Sequence, residues 1–198
     1  QMVEENNRLQ SELYELDRLR ELYQLDQEYM QYKKIAARVI AKDSGNWFQV
    51  FRIDKGADDG IQEDMNVMAG GGLVGIVTDV GANYATVRAI IDDDSNVSGM
   101  SLRTGDTCNV SGNLTLYQDG RQGLDQNNKE ADIQDGDNIV TSNISVKYLE
   151  GIPIGYVSEL SYDANKLTKS GTITPIADFQ HLQEVLVITD RKEMPAAE

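Results

Sequence analysis

The 198-residue chain has one cysteine, one histidine and three prolines, and only 18 Lys and Arg stand against 33 Asp and Glu. A lone Cys108 excludes an internal disulfide and a thiolate metal cluster, although it leaves the compartment open. A formal charge of −15 argues against nucleic acid, whose binders need basic surface to displace phosphate counterions. Anionic membrane surfaces would repel the chain in the same way. No apolar run approaches the roughly 18–20 residues of a membrane helix. The sequence nevertheless starts at Gln1 and runs straight into a helical pattern without a clear cap. It therefore reads as a fragment whose N-terminal part was removed, so the lack of a signal or anchor in it is uninformative.

The scarcity of histidine and cysteine also limits catalysis. His181 has no serine after it, which rules out the order His–Asp–Ser, and Ser98-Gly99 lacks the glycines of a nucleophile elbow. Cys108 with His181 forms only a formal dyad. Asp92-Asp93-Asp94-Ser95-Asn96 lacks the glycine and distant glutamate of a calcium loop, so it reads as a solvated turn. Gly70-Gly71-Gly72 is followed by a strand pattern and by no Lys-Ser/Thr, so it is no phosphate loop. No catalytic residue, metal ligand or cofactor site is expected. The chain is read as a non-enzyme.

What is present is a helix followed by glycine-punctuated strands. Residues 2 to about 34 hold no Pro or Gly and are rich in Leu, Glu, Gln and Arg. Met2, Leu9, Leu16, Tyr23 and Met30 recur every seven residues. Of the companion positions Asn6, Leu13, Arg20 and Gln27, only Leu13 is apolar, while Leu19, Leu22, Leu25 and Tyr29 form a second stripe. The pattern fits a coiled coil with a stutter or a helix whose C-terminal half packs on its own β-domain, and the plain alternative is a single amphipathic helix. For the coiled coil, Leu9, Leu13, Leu16, Tyr23 and Met30 are the candidate dimerisation residues.

From Ile35 onward, seventeen glycines and short apolar runs mark strands and tight turns. Trp47, Gln49, Phe51 and Ile53 alternate onto one face of a strand. The segment Ile61-Gln62-Glu63-Asp64-Met65-Asn66-Val67 returns as Ile133-Gln134-Asp135-Gly136-Asp137-Asn138-Ile139. Gly72-Leu73-Val74-Gly75-Ile76-Val77 returns as Gly151-Ile152-Pro153-Ile154-Gly155-Tyr156-Val157, and Ile91-Asp92 as Ala177-Asp178. Taken at Ile61, Gly75 and Ile91, the offsets are 72, 80 and 86 residues. A repeat of this kind predicts two related small β-barrels. The expected fold is mainly β with an N-terminal α-helix: a helix over 1–34, a first β-domain over 35–97, a second over 98–190 and a tail over 191–198. The last strand is free to return to the first domain.

Four segments together resemble the MreC family across nearly the whole chain. They are Ile53-Asp54-Lys55-Gly56 with Asp59-Gly60-Ile61; Gly72-Leu73-Val74-Gly75 with Val77; Gly136-Asp137 with Val140-Thr141-Ser142; and Gly151-Ile152-Pro153-Ile154-Gly155 with Val157. The chain departs from the family's usual pattern at Asn143, where glycine usually follows Thr-Ser, and at Tyr148-Leu149, where Phe-Pro is usual. Asn143 is a residue that also tolerates left-handed geometry, so that departure is mild.

The resemblance implies a coiled-coil stalk and a double barrel arranged like that of chymotrypsin. It implies a single-pass membrane protein whose extracytoplasmic part binds a class B penicillin-binding transpeptidase, MreD and other elongation-complex proteins. Such a protein organises peptidoglycan synthesis and cell shape without catalysing a reaction. A periplasmic export adaptor is the second reading, set back because one helix precedes everything instead of a hairpin inserted in a barrel. A double-barrel protease is the third.

For the partner surface the expectation is the strand Ile152–Val157, with Tyr148, Leu149, Ile152, Pro153 and Ile154 as contact residues and Pro153 limiting its pairing. The opposing reading is that Tyr148 and Leu149 close the second barrel's core.

Overall fold

The structure is a computed structural model that describes residues 2–28, 32–42, 49–126, 130–162 and 169–192; within the helix, side chains are described for residues 2–16 and 19. Helix α1 spans Met2–Glu28. Glu5, Arg8 and Glu12 form a small ion-pair ladder on it, at 2.8 and 3.5 Å. The helical pattern does not extend to residue 34. Lys34, Ile35 and Ala36 instead pair with Ile188, Val187 and Leu186, because an apolar edge far along the chain offers them a ladder.

The strands are β1 (Lys34–Lys42), β2 (Val50–Ile53), β3 (Asn66–Ala69), β4 (Gly72–Val80), β5 (Ala85–Ala89), β6 (Asn96–Ser101), β7 (Thr107–Ser111), β8 (Gln122–Gln126), β9 (Asn138–Thr141), β10 (Pro153–Tyr162), β11 (Lys169–Pro175) and β12 (Glu184–Ile188). A short helix α2, Leu114–Tyr117, lies between β7 and β8. Two closed six-stranded barrels result, in the orders β1-β12-β3-β4-β5-β2 and β10-β11-β8-β7-β6-β9. Thus β12 pairs with β1 and β3 in the first barrel, and the second barrel lies in the chain between β5 and β12.

The repeat is reproduced bond for bond. Met68 faces Leu73 and Val67 faces Gly75 across a register shift; Val140 faces Pro153 and Ile139 faces Gly155 across another. The skipped residue's carbonyl, of Val74 or Ile154, accepts from Ile90 N–H at 2.8 Å or Ile176 N–H at 3.0 Å. A second bulge follows after Val77 in one copy and Val157 in the other. Pro153, which has no N–H to give, occupies the first position of β10. Position by position, β9, β10 and β11 match β3, β4 and β5, β7 and β8 match β1 and β2, and β6 matches β12.

Burial shows which faces meet. Strand β5 alternates between core and solvent, as a barrel strand with one wet face should. In β12, by contrast, Val185, Leu186, Val187 and Ile188 are all buried, as are all of β3 and Gly72–Val77 of β4. Both faces of this part of the sheet are covered, the inner by the core and the outer by the second barrel. One apolar cluster runs through both barrels. Phe51 and Ile53 point into it, as their alternation requires; Trp47 lies outside the described residues.

The backbone places its demands on few residues. Asp64 is the one non-glycine with positive φ, 67°, among the described residues, and Gly136 holds the matching position at 86°. Asn143 is not in that region; the turn there is closed by Ser142 Oγ accepting from Ile144 N–H at 3.3 Å. At the paired bulges a Cβ on Gly75 would sit 2.0 Å from the Arg88 carbonyl oxygen, and one on Gly155 would sit 2.3 Å from that of Thr174. Since both obstacles are main chain, Gly75→Ala and Gly155→Ala should each destabilise the fold by about 2 kcal/mol or more. Gly60→Ala, with open space around it but φ of 87°, should cost only about 1 kcal/mol. Thermal unfolding of the three variants ranks them.

An ion-pair network clasps the second barrel. Arg103 donates to Asp137 from Nε at 2.9 Å and Nη2 at 3.1 Å, and from Nη1 to Asp132 at 3.0 Å. Ser101 Oγ and Gln134 N–H also donate to Asp137, whose side chain is nearly buried. These bonds, Arg103's first, hold the Asp137 carboxyl below its ordinary range; Gln134 and then Arg103 do the same for Asp132. A lowered folded pKa contributes stability that is complete above the unfolded value, about 4, and disappears as pH falls through the folded one. Arg103→Gln should therefore move the midpoint of acid unfolding to higher pH, with little change in its steepness, when followed by circular dichroism.

Candidate functional site

A surface feature with many backbone ties is the loop from Ser142 to Glu150, between β9 and β10. Thr141 closes its base: Oγ1 accepts from Ile152 N–H at 2.8 Å and donates to the Leu149 carbonyl, while Gly151 N–H reaches the Thr141 carbonyl at 3.0 Å. Gly151 is left-handed, φ 85°, which lets the chain turn back so tightly. Ser145 Oγ accepts from Tyr148 N–H at 3.1 Å. These are short-range side-chain-to-backbone bonds of the kind Ser and Thr favour in turns.

The first barrel holds the same loop from the other side. Asn66 of β3, 1% exposed, donates from Nδ2 to the Lys147 carbonyl at 3.1 Å and accepts at Oδ1 from Leu149 N–H at 2.8 Å. At the matching place in the second barrel, Asn138 Oδ1 is buried without a protein partner, so the use of Asn66 as a latch is specific to this junction. Further bonds cross between the barrels: Gln122 Nε2 to the Ile90 carbonyl at 2.7 Å, Leu114 N–H to Asp93 at 2.9 Å, and Phe179 N–H to the Tyr117 hydroxyl at 3.0 Å. The Tyr117 and Phe179 rings meet edge to face, centroids 5.3 Å apart.

Most residues of the expected partner surface lie inside this junction. Tyr148 is 6% exposed, and burial first of all pushes its phenol up to about 12, with Ser95's hydroxyl as hydrogen-bond partner. Ile152 and Ile154 are fully buried, Leu149 packs against the core, and Pro153 is half-buried. Nor is the strand an open edge, because Pro153–Tyr156 pair with β9 and Gly155–Tyr162 with β11. The apolar side chains near this motif are exposed elsewhere: Ile144 at 63% and Val146 at 65%. Sequence alternation could not separate these from Tyr148, since all lie in one short polar-apolar loop.

On α1, Leu9, Leu13 and Leu16 are 48, 60 and 43% exposed, an unburied apolar row; the side chain of Tyr23 and all of Met30 lie outside what is described. Among the described residues no helix is long and apolar enough to cross a membrane. Cys108 is buried, which raises its thiol to about 12, so at neutral pH it is no nucleophile. His181 Nδ1 pairs with Asp178 at 2.8 Å on the surface. Asp92 and Asp93 spend carboxylate oxygens on the N–H groups of Asp94 and Leu114, and no metal-binding cluster occurs among the described residues.

The barrels have counterparts among known proteins. A family model described as rod shape-determining protein MreC, barrel core, matches residues 39–189. The chain belongs to the MreC family. The cell shape-determining protein MreC of Listeria monocytogenes is 30% identical over 192 residues, covering 94% of this chain. The chain spans only 65% of that relative's length. A solved structure named MreC superposes with a TM-score of 0.80 at 26% identity, over 89% of this chain and 98% of the other. A third, the complex between a penicillin-binding protein (PBP2) and MreC from Helicobacter pylori, shares the fold with a TM-score of 0.60 at 13% identity, over 80% of this chain and all of that one.

Within this MreC fold the Asn66 latch is open to test. Asn66→Ala leaves the Leu149 N–H and Lys147 carbonyl without partners where water enters poorly. The loss should be about 2–3 kcal/mol in urea unfolding. Hydrogen exchange should accelerate most at the Leu149 amide.

Proposed function

We propose that this chain is the extracytoplasmic part of a non-catalytic scaffold of the cell-elongation machinery. It binds a class B penicillin-binding transpeptidase and so organises peptidoglycan synthesis. The observation that carries this reading is membership of the MreC family, one of whose members is solved in complex with a penicillin-binding protein. The closed barrels support it, because they present rigid loops on a fixed frame and offer recognition surface without needing a catalytic cleft. In the same reading an anchor precedes α1 in the membrane, and MreD and other elongation proteins are further partners.

The stalk dimerises. Leu9, Leu13 and Leu16 lie exposed along α1 as the heptad seam requires, with Tyr23 and Met30 continuing it in sequence. Sedimentation at tens to hundreds of micromolar should give a dimer for the chain and a monomer for Leu9→Ser/Leu13→Ser/Leu16→Ser. A monomeric parent at the upper end would refute a stable homodimer. For the scaffold itself the test is co-purification: the chain, immobilised through its N-terminal end, should retain the transpeptidase's extracytoplasmic region from the same organism. Failure of both purified proteins to associate at micromolar concentrations would overturn the reading.

A further inference from the structure

Closure of both barrels leaves loops and outer faces as recognition surface, and one loop differs from the rest. Its tip carries Ile144 and Val146, each about two-thirds exposed, two residues apart. Its backbone is fixed by Thr141, Ser142 and Ser145 from below and by Asn66 from the first barrel. Apolar groups held rigidly in water meet a partner without an ordering cost, which favours affinity. Isolated exposed apolar residues are common and would mean little alone.

The charge beside them gives the feature direction. Val146 and Lys147 line a hollow of about 760 Å³ with Asp64, Thr189, Asp190, Arg191 and Lys192. Three cations there face two carboxylates, in a chain where acidic residues outnumber basic ones 33 to 18. The carboxylates are partly spent within the protein: Asp64 lies 3.6 Å from Lys147, and Asp190 accepts from Lys33 N–H at 2.9 Å. Lys192 Nζ reaches the Asn143 carbonyl at 2.6 Å, which fastens the basic segment against the apolar loop. Apolar tip and hollow therefore form one surface, on which the hollow lining carries a net +1 in a chain of −15, with Glu150 a further acid at the foot of the loop.

We infer that the loop Ser142–Glu150, with Arg191 and Lys192, is the docking surface for an acidic segment of the transpeptidase that carries an apolar side chain. This rests on the scaffold reading and names its site. Ile144 and Val146 supply the desolvated centre; Lys147, Arg191 and Lys192 steer the approach and set the orientation.

The test uses the purified chain and the transpeptidase's extracytoplasmic region, with affinity measured by interferometry. Ile144→Ser/Val146→Ser should weaken binding at least about tenfold, and Lys147→Glu/Arg191→Glu should slow association and abolish most of its salt dependence. All four side chains are at the surface, so thermal unfolding should match the parent. A chain ending at Lys192 should bind like the parent; tighter binding would assign the hollow to the chain's own residues 193–198 and overturn the inference. Parent-level binding by both double variants would also overturn it while the scaffold reading stands. No binding by the parent would remove both. In cells, a photo-crosslinker at position 146 should capture the transpeptidase, and one at the exposed Tyr162 should not. Capture of a second copy of this chain at 146 would make the loop a self-association surface and refute the assignment.

Discussion

The first barrel cannot close on its own stretch of chain. Strands β1 to β5 supply five positions, and the sixth, between β1 and β3, is filled only by β12. Lys34 pairs with Ile188 across about 150 residues of intervening chain, within which the whole second barrel is built. Burying Val185, Leu186, Val187 and Ile188 stabilises by roughly 1.5–3 kcal/mol each, a sum comparable with the entire net stability of an ordinary domain. Without β12 the first barrel would also expose two strand edges, on β1 and β3. The return of the last strand therefore settles both the integrity of the first barrel and its attachment to the second.

That arrangement explains the pattern of burial. In the second barrel β6 stands where β12 stands in the first, so the two units are the same six-stranded plan joined with a permuted chain order. Because β12 comes back from the second barrel, the face made by β12, β3 and β4 is drawn against it. There the strands carry continuous apolar runs instead of alternation, Gly72 lies close to Ile176, and Asn66 becomes the latch rather than an idle copy of Asn138. A buried asparagine bonded to main chain on both of its polar atoms adds specificity as well as stability, since any sliding of one barrel on the other leaves both bonds unmade.

Much of this was legible in the sequence because it rested on local signals. The glycines of Gly72–Gly75 and Gly151–Gly155 mark the paired bulges, and the offsets of 72, 80 and 86 residues match backbone bonds in both copies. Ile53 and Phe51 were identifiable as core from period-two alternation. What resisted was of another kind. Tyr148 and Val146 are both apolar-bodied residues of one loop, and their fates differ because Asn66, over eighty positions earlier, seizes the main chain on either side of Tyr148. No local pattern encodes that contact. The helix end was placed late for the same reason: Lys34 suits a helix by propensity, and its place in a strand comes from pairing with β12.

The long return also brings remote segments together at one place. Just before β1, the Tyr32 hydroxyl donates to the Glu150 carbonyl at 3.0 Å, and Lys33 is bonded through its N–H to Asp190 and through its carbonyl to Thr189. Just after β12, Lys192 reaches Asn143. The segment leading from the helix, the segment leaving the last strand and both ends of the Ser142–Glu150 loop are thus tied within a few bonds of one another. Burial and the nearby charges of Glu150 and Asp190 raise the Tyr32 phenol, which keeps it a neutral donor at physiological pH. Both ends of the Ser142–Glu150 loop are in this way fastened to the segments that enter β1 and leave β12, so the ladder that closes the first barrel also fixes how the loop is presented, through bonds that depend on the side chains of Tyr32, Asp190 and Lys192.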